Sequence, residues 1–148
     1  EIKIMAITSA VCNSFKAEAL KAVHNFTASS GNTFNLALYT SSATLNKSTT
    51  AYTTSNEVAN GNGYTTKGIA LTSVTPVLSG DTAVCDFANV SFTSASFTAN
   101  GCLIFNDTAS GDPAVCAIAF GGDKTVTSGT FTIEFPAADA SNAILRIA

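Results

Sequence analysis

Charge is what this chain has least of. Lys, Arg, Asp and Glu make up 11% of its 148 residues, less than half the share of about 25% usual in soluble domains. The surface must therefore be built mainly from Ser, Thr, Asn, Gly and Ala, whose hydroxyls cost less to desolvate than ions do. Such a surface suits a protein held permanently against copies of itself or against a shell. The other reading is a monomeric extracellular β-domain. The seven basic residues, Lys3, Lys16, Lys21, Lys47, Lys67, Lys124 and Arg146, are scattered and the net charge is −3. Nothing among them tracks phosphates, so no nucleic-acid partner is expected. No apolar run is long enough to span a bilayer, and no basic region precedes an apolar run at the start. Neither a membrane partner nor an export signal is expected.

Residues that carry catalysis or bind metals are equally sparse. His24 is the only histidine and falls in a helical pattern, where a surface or interface position is expected; a catalytic triad would have to use it alone. There is no phosphate-binding glycine loop and no GxSxG. Asp81, Asp86, Asp107, Asp112 and Asp123 fall at turns or strand ends, where Asp bonds local backbone. Asp107, Asp112 and Asp123 match no calcium-ligand spacing. No catalytic residue, cofactor or metal ligand is assigned. Four cysteines, Cys12, Cys85, Cys102 and Cys116, show no CxxC spacing, and with one histidine a zinc site would need the thiols themselves to converge. Cys85, Cys102 and Cys116 each sit in an apparent strand. Burial as free thiols is expected, with a disulfide among them, between strands or between subunits, as the alternative. Asn25, Asn46, Asn89 and Asn106 fit the glycosylation sequon by chance in so Ser/Thr-rich a chain.

What is present is a helix followed by strands, in a length that suits one domain; 46% hydrophobic residues suffice for one core. Between Ser9 and Phe26, Cys12, Phe15, Ala19, Ala22 and Phe26 recur at steps of three and four, and Val11, Leu20 and Val23 widen the stripe. An amphipathic helix over about 9–26 is expected, capped by Thr8 or Ser9 and ended by Asn25 or the Ser29-Ser30-Gly31 turn. It packs on the sheet or on a neighbouring subunit. Strands are expected at 34–39, 67–72, 75–78, 82–87, 90–92, 102–106, 114–120, 130–135 and 143–147. Turns are expected at Ser79-Gly80-Asp81, Asn100-Gly101, Ser110 to Pro113, Gly121-Gly122-Asp123 and Ser128-Gly129. Many short strands with polar turns point to a mainly β fold, an antiparallel β-sandwich with one N-terminal helix. Ala114 to Phe120 and Cys102 to Phe105 are apolar at every position, so their outer face needs a cover, and the helix is the expected one. The uncharged stretch over about 40–66, anchored by Leu45, Tyr52, Val58 and Tyr64, reads as an arm or lid over the domain or over a neighbour.

The segments MAITSAVCNSFK from Met5, LALYTSSATL, NEVANGNGYTTKG, GGDKTVTSGTFTIEFP and AILRIA resemble a recurrent family of small virion proteins of tailed bacteriophages, described as structural or tail-fibre-like. The resemblance covers Met5 to Ala148 and leaves residues 1–4 outside. It implies a non-enzymatic virion protein, assembled in the host cytoplasm and carried on the extracellular particle. Its implied partners are copies of itself and capsid or tail proteins. A capsid decoration or cement role is expected, since a small acidic domain with a helix and an arm suits bridging between capsomers. A tail or fibre component contacting the host is the alternative. A third reading is a carbohydrate-binding module in which exposed tyrosines stack on a host-surface glycan, although the lack of Trp weighs against it. The candidate contact residues are Cys12, Phe15, Ala19, Phe26, Leu45, Tyr52 and Tyr64.

Overall fold

The run Cys102 to Phe105 exposes no side chain at all. In the computed structural model, which describes residues 6–148, it is the end of β6 (Val90–Asn106), flanked by β2 (Phe34–Tyr39) and β7 (Ala114–Ile133). Residues 1–4, set apart by the sequence, lie outside the described residues, as does Met5. Adding β1 (Ala10–Val11) and β3 (Ile69–Ala70) gives a five-stranded sheet in the order β1-β7-β6-β2-β3. A second sheet of β4 (Ser73–Ser79), β5 (Thr82–Phe87) and β8 (Leu145–Ile147) runs in the order β4-β5-β8. Every pairing between these strands is antiparallel. The fold is therefore mainly β, with one short helix, α1 (Asn13–Leu20).

Both sheets contribute to one apolar core. Phe34, Leu36 and Leu38 of β2 and Cys102 and Ile104 of β6 cluster with Cys85 and Phe87 of β5 and Leu145 of β8. Phe26 stacks flat on Phe34, with ring centroids 4.2 Å apart and 5° between planes. Each large side chain buried in this way stabilises the fold by about 1.5–3 kcal/mol. The opposite face of the five-stranded sheet carries a second cluster, in which Ala37, Tyr39, Leu103, Phe105, Ala114 and Ala117 lie under Ile7, Cys12, Ala43 and Leu45. Tyr52 completes that cover, stacked on Phe105 at 4.6 Å. The cover expected of the helix is thus supplied by the Ser/Thr loop, with the helix adding only Phe15.

The helix is much shorter than its apolar stripe. It spans eight residues and buries none of them. Its expected first turn is extended instead: Ala10 and Val11 pair with Ala117 and Cys116, and the Ser9 hydroxyl accepts a hydrogen bond from the Ala119 amide rather than capping a helix. Cys12 stands at the N-cap without a side-chain cap bond. The helix ends in a Schellman motif, with the Ala22 amide donating to Ala19 O and the Val23 amide to Glu18 O. Ala22, at φ 58°, occupies the left-handed position. Phe26 reaches the core from the extended segment beyond, not from a helical face.

Strands β2 and β5 run over 34–39 and 82–87 as the sequence indicates, and turn signals hold at Gly80-Asp81, between β4 and β5, and at 110–113, between β6 and β7. Three other turn signals lie inside strands. Asn100-Gly101 belongs to β6, and Gly121-Gly122-Asp123 and Ser128-Gly129 belong to β7. The chain bulges there instead of reversing: Ala99 pairs with Lys124 but Gly101 with Ala119, so surplus residues of β7 bow out at Gly121 (φ 75°) and Gly122 (φ 142°). A Cβ at Gly101 would lie 2.5 Å from Ile118 O, so the strand crossing is close enough to require glycine. Four expected strands therefore merge into two long ones. In the 40–66 loop, isolated bridges tie Tyr39 to Glu57, Ala51 to Pro113 and Leu45 to Ile7. It is a lid on its own sheet.

Candidate functional site

The lid is held by one carboxylate. Glu57 accepts the Tyr52 hydroxyl at 2.6 Å, the Tyr64 hydroxyl at 2.7 Å and the Lys67 amide at 2.8 Å. Tyr64 also accepts from the Leu38 amide of β2 at 3.0 Å, so its phenol bridges loop to sheet. Burial first, then the bond to Glu57, pushes the phenols of Tyr52 and Tyr64 well above the usual tyrosine range. Tyr64 is 2% exposed and stacks on Phe92, while Tyr52 stacks on Phe105. Tyr64 is thus enclosed, whereas Tyr52 is half-buried with one ring face on Phe105.

Lys67 joins the lid to the β6–β7 connection. Its ammonium lies 2.7 Å from Asp107 and 2.8 Å from Asp112 and sits over the Tyr52 ring at 5.7 Å. Hydrogen bonds to these two carboxylates raise its pKa. Two of the three aspartates considered for calcium do converge, but on a resident ammonium. Asp123 is elsewhere, bonded to Asn100 in the β7 bulge.

His24 is not a surface residue; its side chain is 0% exposed. Its Nδ1 lies 3.2 Å from the Asn106 side-chain amide nitrogen and its Nε2 2.8 Å from Glu18 Oε2. Cys12, His24 and Asn106 supply the residue types of a thiol hydrolase, yet Cys12 Sγ is directed at Asn46 O at 4.0 Å. Burial, with a contribution from the Glu18 charge, pushes the Cys12 thiol up to about 11, opposite to the shift that activates a nucleophile. The other three thiols are also free and buried. Burial holds Cys85 and Cys116 at about 12 and Cys102 well above the ordinary value. Cys85, Cys102 and Cys116 form no disulfide.

An opening lies between the helix region and the three-stranded sheet. A wedge of about 470 Å³ separates α1 and the segment after it from β5 and β8, walled by Phe15, Ala19, Leu20 and Phe26 on one side and Leu145 and Ile147 on the other, with Lys16 and Arg146 also lining it. Phe15, Phe26, Cys85 and Leu145, which line it, also belong to or pack against the core that both sheets share. Leu78 pairs with Ala83 and Ala83 with Ile147, one row of side chains on the face that also carries buried Cys85 and Leu145. Along that face burial gives way to exposure from Cys85 and Leu145 to Leu78 and Ile147. Leu20, Leu78 and Ile147 are 92%, 74% and 72% exposed.

Of the expected contact residues, Phe15, Ala19 and Phe26 line this wedge, whereas Cys12, Leu45, Tyr52 and Tyr64 are committed to the chain's own interior. Leu78, Ile147, Glu57 and Lys67 went unmarked. Their only sequence signal is an apolar residue beside a turn or a lone charge in an uncharged stretch. Comparison with protein-family models, with curated proteins and with solved structures found no match to this chain.

Proposed function

We propose that this chain is a non-enzymatic virion structural protein of a tailed bacteriophage, an antiparallel β-sandwich present in many copies and seated on the capsid as a decoration or cement protein. The sandwich reading is supported by the core that both sheets share. The functional reading is carried by one contrast. The polar side chains that resemble a site, Glu57, Tyr52, Tyr64 and Lys67, are engaged in holding the chain's own lid, while large apolar side chains stand in solvent around an open wedge. On a surface so poor in charge, apolar side chains gathered in this way mark a contact with another protein. Burying them contributes about 25 cal/mol per Å², and many copies in a lattice sum modest contacts into resistance to heat and osmotic shock.

The deciding experiment is quantitative mass spectrometry of purified particles, giving the copy number of this chain relative to the major capsid protein. A ratio near one to one, or a simple fraction such as one to three, supports a capsid lattice position. A handful of copies assigns it to the tail or fibre instead, and absence from the particle overturns the virion reading.

A further inference from the structure

The wedge and the projection best suited to fill it stand side by side on one sheet. Leu78 is the penultimate residue of β4, one before Ser79 and the Gly80-Asp81 turn. It belongs to the same cross-strand row as Ala83 and Ile147, which line the wedge. A knob and a hole that share a wall are brought together twice by a single two-fold rotation, as an isologous interface requires.

Charge is arranged to match. No carboxylate side chain lines the wedge among the described residues, and its ionisable lining is Lys16, His24 and Arg146. His24 has both ring nitrogens engaged. Lys16 spends one of its three donors on Asn13 Oδ1 at 3.3 Å. Arg146 alternates with Leu145 and Ile147 along β8 and directs its guanidinium to the other face of the sheet, at the carbonyls of Ala140 and Ser141, so Lys16 is the cation left to meet a partner. The hairpin tip that carries Leu78 also carries the exposed carboxylate of Asp81. Edge-to-edge strand pairing is disfavoured at both margins of this sheet. Pro76 sits in β4, and β8 has only three residues with Arg146 at its centre. The contact is therefore made by side chains on a face.

We propose that the wedge receives the β4–β5 hairpin tip of a second copy of this chain, with Leu78 entering between α1 and β8 and Asp81 meeting Lys16, reciprocally in a closed dimer. This deepens the self-assembly part of the function proposed above by naming the contact, and particle copy number tests that function independently.

Sedimentation velocity and light scattering on the full chain, over a concentration series, test the inference. Wild type is expected to form a dimer. Leu78→Asp is expected to raise the dissociation constant at least tenfold with an unchanged circular dichroism spectrum, since the side chain it replaces stands in solvent. Asp81→Lys is expected to weaken the dimer likewise, and Asp81→Lys combined with Lys16→Asp to recover it. A dimer indifferent to Leu78→Asp overturns the assigned contact while leaving self-association standing. Open-ended polymers overturn the two-fold closure. A wild type that remains monomeric while its wedge takes up an apolar dye assigns the wedge to a foreign ligand and overturns the proposal.

Discussion

Glu57 makes three hydrogen bonds that no other residue in the lid can replace, to two phenols and one amide. Bonds to a charged acceptor contribute about 1.5–3 kcal/mol each, and they are not additive. Glu57→Gln keeps the shape but removes the charge and turns one acceptor oxygen into an amide NH2, so the donors it meets lose their charged acceptor. We expect a loss of about 2–3 kcal/mol in urea unfolding with an unchanged m-value; a loss under about 0.5 kcal/mol would show that the lid is held by packing alone. The anchoring tyrosines were visible in the sequence because aromatic side chains in an uncharged loop need burial. Their partner was not, because a contact five or seven residues along a loop follows no period.

The helix shows how a single backbone conformation outweighs a pattern. Apolar spacing continued to Phe26, and Ala22 is the best of helix formers by propensity, yet at φ 58° it ends the helix in a position that glycine normally takes. Ala22→Gly removes the Cβ strain there and is expected to raise stability by about 0.5–1 kcal/mol, read as a higher melting temperature. A decrease would mean that the Schellman geometry is not the conformation adopted in solution. The strands divide in the same way. β2 and β5 were legible to the residue because turns or loops bound them on both sides. β6 and β7 were read as four strands, since glycine pairs signal a turn and a bulge alike and only the partner strand decides which. Of the wedge, Phe15, Ala19 and Phe26 were marked by periodicity, whereas the exposure of Leu20, Leu78 and Ile147 depends on tertiary placement.

The four thiols are distributed over both layers of packing, Cys12 under the lid and the other three in the core between the sheets. They therefore report on the molecule as a unit. With Cys12 at about 11 and Cys85 and Cys116 at about 12, against an ordinary 9.0, the thiolate fraction at pH 8 falls by roughly a hundredfold to a thousandfold. We expect the native protein to react with a thiol reagent only as fast as it unfolds, with all four groups appearing together. A single fast-reacting cysteine, or a disulfide in the peptide map, would contradict this. The same shifts fix the sign of the alkaline response. The folded state retains protons that the unfolded state releases above its own thiol pKa, so stability is constant below about pH 9 and falls as pH rises from 9 towards 12. The buried phenols act in the same direction. A stability curve flat to pH 11 would show that the thiols are not buried as described.

The pairing of β1 with β7 also sets the order of events on the ribosome. Ser9 and its partner Ala119 are 110 residues apart in sequence, and both partners of Ala10 and Val11 lie beyond residue 115. β1 thus waits, unpaired, until residues 116–119 have followed it in synthesis, while β6 and β7, neighbours in sequence, can zip together as soon as both have emerged.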